Sequence, residues 1–245
     1  MSSVFDGICG FNSFSGNDFP GAVSAVLFYA YCNLHCPYCQ NPDIVFGKMP
    51  QMDHEFLADF LKRRKYNLDG IVITGGEPTI HKKLPELIES IKKFGYKVKL
   101  DTNGLNPVAL KNCDIDYLAL DIKTTPKKYL QYLGAQGTPD QISESLQKTA
   151  SIIKKTKGEL RITVAPKIVE RKDFEEIAQL CEGTDVYLQK FRTRFKILDS
   201  NFFDGVSSYE NELFKEFKVC IEKYAKSVRI REYGENSKIS AKKYG

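Results

Sequence analysis

The chain has no tryptophan, no internal repeat, no low-complexity stretch and no Pro/Gly-rich linker. Repeat architectures and disordered arrays are thereby excluded, and residues 1–245 are expected to form a single domain. No apolar run approaches the length of a membrane span. The N-terminal residues lack a basic segment followed by an apolar core and carry Asp6 and Asp18, so no secretory signal is expected and a cytoplasmic location is. Charge of one sign is not in large excess, with 36 basic residues against 31 acidic ones for a net charge of +5. That imbalance is too small to demand a nucleic-acid partner. A complete disulfide framework is excluded because the cysteines number seven, and cysteines in a reducing compartment stay free.

What is present describes an ordinary globular chain, with 42% hydrophobic and 27% charged residues and aromatic bulk supplied by 16 Phe and 13 Tyr. Short β-branched runs alternate with stretches of helical period. Strands are predicted at "AVSAVLFYA", "GIVIT", "KVKLD", "YLALD", "LRITVA" and "DVYLQ", beginning at Ala22, Gly70, Lys97, Tyr117, Leu160 and Asp185. Helices are predicted near 53–65, 82–94, 107–112, 140–156, 172–182 and 208–226, with a final short strand "VRIRE" from Val228. Six βα units in series, each crossing over right-handedly, curl into an open barrel or a doubly wound sheet. The cluster "KRRK", Lys62 to Lys65, reads as the polar end of a helix, and the tail "SKISAKKYG" as a frayed terminus.

Unusual polar or flexible residues follow four of these strands directly. After the first come Cys32, Cys36 and Cys39; after the second, "GGEP"; after the third, "TNG"; after the fourth, "KTT". Loops at the carboxyl ends of strands build the sites of α/β proteins, so one shared pocket is expected. A C-x3-C-x2-C loop aims three sulfurs into a common volume. Structural zinc wants four protein ligands, and His35 could complete a Cys3His set only by straining so tight a loop. A 4Fe-4S cluster usually takes four cysteines, and three would leave one iron open. Gly75 and Gly76 let backbone approach a ligand closely, and Pro78 fixes the turn that follows. Glu77 could hold an ammonium group or simply begin a helix as an N-terminal carboxylate. Asp101 and Asp121, on adjacent strand ends, repel unless something positive lies between them. Lys123 lies two residues beyond Asp121 and shares its face of an extended segment.

The cysteine spacing with Tyr38 before the last cysteine, together with "TGGEP" at Thr74 to Pro78, resembles the two signatures of the radical S-adenosylmethionine (SAM) superfamily. "FSGNDFPGAVSAVLFYAYCNLHCPYCQNPDI", "KLDTNG" and "LALDIK" resemble, more narrowly, the activating enzymes of glycyl radical enzymes, in particular the anaerobic ribonucleoside-triphosphate reductase branch. The resemblance runs from about Gly10 to Gln189. It implies an α/β fold, an open partial (β/α)6 barrel of the radical SAM type, with a core at about 20–190 and a C-terminal helix and short strand over 205–235.

By the same resemblance, Cys32, Cys36 and Cys39 ligate a 4Fe-4S cluster whose fourth iron takes SAM. Tyr38 packs near the adenine. Gly75, Gly76, Glu77, Pro78, Asp101, Asn103 and Lys123 bind SAM, with Lys123 meeting its carboxylate, and Asp101, Thr102 and Asp121 hold a monovalent cation. The implied activity is formation of a glycyl radical on a partner, anaerobic ribonucleotide reductase in the closest case. The alternative is radical SAM chemistry on a small molecule or on another protein or RNA. Residues 40–74 contain no cysteine, so the electron is expected from an external donor such as flavodoxin or ferredoxin. Cys9, Cys113, Cys181 and Cys220 are read as small packed hydrophobes, His54 and His81 as solvent-facing caps, and Arg161 and Gln189 as rim or surface residues. The chain departs from the family with Tyr31 where glycine is common, Gln40 where histidine is frequent, and "QKFRTR" (Gln189–Arg194) where a proline-bearing segment is usual.

Overall fold

The computed structural model describes residues 3–191, 196–206 and 211–231. Eight strands form one sheet in sequence order: β1 (Ile8–Ser15), β2 (Ser24–Tyr29), β3 (Gly70–Gly75), β4 (Lys97–Thr102), β5 (Tyr117–Ile122), β6 (Gly158–Val164), β7 (Asp185–Lys190) and β8 (Ser227–Arg231). β1 runs antiparallel to β2, and β2 through β8 are parallel neighbours. Among the described residues β1 and β8 do not pair, so the sheet is an open, partial barrel.

The helices are α1 (Pro42–Val45), α2 (His54–Arg64), α3 (Leu84–Lys93), α4 (Pro126–Tyr132), α5 (Pro139–Ile153), α6 (Phe174–Leu180) and α7 (Asn211–Glu222). Their starts follow local chemistry. Asp53 caps α2 by accepting from Phe56 N, Thr138 and Gln141 close a capping box on α5, and proline opens α3, α4 and α5. The last turn of α2 carries Lys62, Arg63 and Arg64, where the helix dipole favours cations.

Alternation along the strands separates two chemistries. Val98, Leu100, Leu118, Leu120, Leu160 and Ile162 are almost wholly buried in one apolar cluster with Leu84, Leu87, Ile88, Ile91 and Leu146 of the helices. Lys99, Asp101, Asp121 and Arg161 take the intervening positions and turn to the other face. A small cluster of Phe19, Val26 and Val72 also fills that face.

Three features differ from the sequence reading. The sheet gains β1, a half-exposed edge strand whose pairing has irregularities at Ile8/Gly10 and Asn12/Ser15, which blur its period. α1 and α4 lie outside the predicted helices because each is a short segment, of 4 and 7 residues, opened by proline. The stretch near 107–112 is a 3-10 turn, Pro107–Leu110, rather than a helix. The tail from residue 232, and Arg192 to Arg194 of "QKFRTR", lie outside the described residues.

Candidate active site

All four expected loops converge at the carboxyl ends of β2 to β5. Gly76 N donates to Tyr29 O at 2.8 Å and Glu77 N to Tyr31 O at 2.9 Å, which fastens the end of β3 to the start of the cysteine loop. Tyr31 has φ +64°, a left-handed conformation in which glycine costs least, so the residue type common in the family suits the backbone here better than tyrosine does. The loop is held from three further directions. His35 N donates to Leu133 O at 2.7 Å just beyond α4; Leu198 N and Asp199 N donate to Cys39 O and Pro37 O at 2.9 and 3.0 Å. Asn103 Nδ2 donates to Asn33 Oδ1 at 2.7 Å, tying the end of β4 to the loop.

Cys36 is buried, and Cys32 and Cys39 are half-buried. Burial pushes the Cys32 and Cys36 thiols up to about 12 and raises that of Cys39, while the Lys123 ammonium opposes the rise at all three. The thiols are therefore protonated at neutral pH, and any metal must displace their protons. At pH 8 iodoacetamide is expected to alkylate Cys32 and Cys36 of the folded metal-free protein roughly a hundredfold or more slowly than in urea. A folded rate equal to the unfolded one would contradict this environment. By linkage, raised thiol values favour the folded metal-free chain at pH below the ordinary 9.0, and that contribution is lost as pH rises toward about 12.

Among the described residues no three His, Cys, Asp or Glu side chains, those of Cys32, Cys36 and Cys39 included, are grouped closely enough to hold a single metal ion. The His35 ring stacks on Phe46 at 5.5 Å. Tyr38 is buried against this loop, and its hydroxyl has no hydrogen-bond partner. This buried donor without an acceptor lies within electrostatic reach of Cys36 and Cys39, a polar position left open next to the cysteine loop.

Glu77 is a structural hub. Its Oε1 accepts from Thr79 N (3.0 Å), Thr79 Oγ1 (2.6 Å) and Thr102 Oγ1 (2.7 Å), and its Oε2 from Asn103 N (2.7 Å). It caps the 3-10 turn Pro78–Ile80 and joins the ends of β3 and β4. Of the two uses the sequence left open, the geometry fits the N-terminal carboxylate. Burial pushes this carboxyl up, and the four donors pull it down.

The positive group between Asp101 and Asp121 is Arg161, which donates from Nε to Asp121 Oδ1 at 2.7 Å and from Nη1 to Asp101 Oδ2 at 3.1 Å. Lys99, 1% exposed, pairs with Asp101 Oδ1, and Lys123 with Asp121 Oδ2 at 3.0 Å. Although burial alone would raise both carboxyls, Arg161 with Lys99 holds Asp101 below its usual range and Arg161 with Lys123 holds Asp121 well below it. Sequence reasoning left Arg161 on the rim and did not select Lys99, Asn33 or Thr79. Lys99 and Asp101 two apart in a strand carried the one usable signal.

His81 is not a solvent-facing cap: its Nε2 lies 2.7 Å from Ala30 O, and its ring stacks on Tyr29 at 4.0 Å. His54 opens α2, but the capping side chain is Asp53. Cys9 and Cys181 are buried and Cys113 and Cys220 half-buried, as packed thiols. No helix among the described residues is long and apolar enough to cross a membrane.

Residues 26–181 match the family model described as the radical SAM superfamily. The chain belongs to the radical SAM superfamily. A Methanocaldococcus jannaschii protein provisionally named a glycyl-radical enzyme activating enzyme is 34% identical over 235 residues, which covers 91% of this chain and 95% of the relative. The 7-carboxy-7-deazaguanine synthase of Neisseria meningitidis is 40% identical over 119 residues, covering 48% of this chain and 50% of that enzyme. Among solved structures, Streptococcus suis SuiB bound to its precursor peptide SuiA superposes with a TM-score of 0.59 at 14% identity, over 84% of this chain and 48% of SuiB. A structure of TYW1 with a lysine–pyruvate adduct gives 0.57 at 16% identity, over 82% and 74%. These last two likenesses establish the fold. As a radical SAM enzyme the chain calls for a 4Fe-4S cluster and SAM, and the three-thiol loop with the unpartnered Tyr38 hydroxyl fits that requirement.

Proposed function

We propose that this radical SAM enzyme generates a glycyl radical on a partner enzyme, anaerobic ribonucleotide reductase being the first candidate. The observation that carries this reading is the extent of the similarity to the M. jannaschii relative, which runs through 91% of the chain rather than through the cofactor-binding half alone. Cys32, Cys36 and Cys39 hold the cluster. When bound, the cluster supplies an electron that splits SAM into methionine and a 5′-deoxyadenosyl radical. Lys123 receives the SAM carboxylate, since its ammonium is already oriented by Asp121. Gly75 and Gly76, lacking a Cβ, let the end of β3 press against the Tyr29 and Tyr31 backbone, which places the "GGEP" loop beside the cysteine loop where the methionine portion of SAM would lie. Tyr38, packed under the loop, borders the adenine. Glu77 positions these groups by locking the Pro78 turn and Asn103 rather than by touching SAM. The electron comes from an external donor such as flavodoxin or ferredoxin.

A protein substrate also suits the rim. Tyr31, Phe46, Met49, Ile80 and Val108, on the connections after β2, β3 and β4 that carry the site, are exposed large apolar side chains, apolar surface that a macromolecular partner could cover. The open barrel gives a glycine-bearing loop a way in.

The test is to reconstitute the protein anaerobically with iron and sulfide, add reductant, SAM and the reductase, and record 5′-deoxyadenosine together with the electron paramagnetic resonance doublet of a glycyl radical. Both are expected with the wild type and neither with Cys36→Ala. The 40% identity over 119 residues to the N. meningitidis deazaguanine synthase supports a second reading, a small-molecule substrate. Production of 5′-deoxyadenosine with no glycyl radical on any candidate reductase would favour it.

A further inference from the structure

The densest buried charge outside the cysteine loop lies on the inner face of β4, β5 and β6 and just beyond β5. It comprises Lys99, Asp101, Asp121, Lys123 and Arg161, with side chains between 1% and 25% exposed. The family resemblance implies a monovalent cation on Asp101, Thr102 and Asp121. These side chains offer five oxygens, and the chain engages every one of them itself. Arg161 takes Asp101 Oδ2 and Asp121 Oδ1, Lys99 takes Asp101 Oδ1, and Lys123 takes Asp121 Oδ2. Thr102 Oγ1 donates to Glu77 Oε1 at 2.7 Å and accepts from Gly104 N at 3.1 Å.

We infer that Arg161 stands in for a bound monovalent cation, so that this chain binds SAM without K+ or Na+. A guanidinium carries the same single charge, and its planar fork reaches both carboxylates at once. A metal ion entering between them would meet that charge at close range, and displacing Arg161 would leave a guanidinium buried and unpaired. Lys99, Lys123 and Arg161 face Asp101 and Asp121, and Glu159, which also acts on Arg161, is paired by Arg231, so one positive charge of this group is left for an anion. The carboxylate of SAM balances it at Lys123. The inference rests on the proposed SAM site and concerns which groups offset the Asp101 and Asp121 carboxylates there.

SAM binding to the reconstituted protein, measured by equilibrium dialysis in potassium, sodium and tetramethylammonium salts of equal ionic strength, tests it. Equal affinity within about twofold in all three is expected. A gain of about tenfold or more in K+ or Na+, close to the 1.4 kcal/mol of one good polar contact, would overturn it. In tetramethylammonium, Arg161→Gln is expected to bind SAM about tenfold more weakly, with K+ recovering part of the loss. Undiminished binding by this variant would also overturn the inference. Where Arg161→Gln fails to fold, Arg161→Lys, which keeps the charge but not the two-pronged reach, is read in the same way. Absence of SAM binding to the wild type in every salt would refute the proposed function, and this inference with it.

Discussion

Glu77→Ala is expected to destabilise the metal-free protein by about 4 kcal/mol or more, at roughly 1–3 kcal/mol for each buried donor left without an acceptor. Four donors lose their acceptor at once: Thr79 N, Thr79 Oγ1, Thr102 Oγ1 and Asn103 N. Since domains are stable by only about 5–15 kcal/mol, a large share of the folded population is at stake. The urea midpoint is the measurement, and Glu77→Gln, which keeps one carbonyl acceptor, is expected to fall between the variant and the wild type. A midpoint unmoved in Glu77→Ala would mean that the four donors find other partners and that Glu77 is held for a ligand instead. The damage should also reach the cysteines, because the backbone released at Asn103 carries the side chain that fixes Asn33 in their loop.

Gly76→Ala is expected to leave the protein unable to hold a full cluster, although it touches no cysteine. A Cβ at Gly76 would overlap the Tyr31 carbonyl and come within 3.2 Å of Cys32 N. Both neighbours are backbone, which cannot rotate aside as a side chain can. Tyr31 O also accepts from Glu77 N, so the shift needed to admit a methyl group breaks that bond and moves the first cysteine. Iron content after anaerobic reconstitution is expected to drop well below half that of the wild type, with far-ultraviolet circular dichroism little changed. Full iron content would show that the strand end yields more easily than two backbone segments in contact should.

Legibility in the sequence followed contiguity. The cysteine loop, "TGGEP", "DTNG" and "DIK" are each short and unbroken, and each stands at the end of an apolar run with a clear strand period, so their convergence could be read in advance. What joins them could not. Arg161 meets Asp101 and Asp121 through strand register across β4, β5 and β6, and Asn33 meets Asn103 across 70 positions. Such partners have no signature of their own in one chain. Glu77 was visible as a residue but ambiguous in purpose, because an N-terminal carboxylate and a ligand-binding one are written with the same letter. β1 escaped because a half-exposed, irregularly paired edge strand blurs the alternation that marks its neighbours.

The hydrogen bonds from Leu198 and Asp199 to Cys39 and Pro37 bear on how the protein matures during synthesis. The segment that closes over the cysteine loop is made about 160 residues after the cysteines, or roughly ten to thirty seconds later at ordinary translation speed. Throughout that interval the loop lacks two of its backbone fastenings. Cluster delivery therefore meets a more open loop before residues 198 and 199 have been made and folded back than after, and their docking is the moment at which the cysteine loop gains these two tethers.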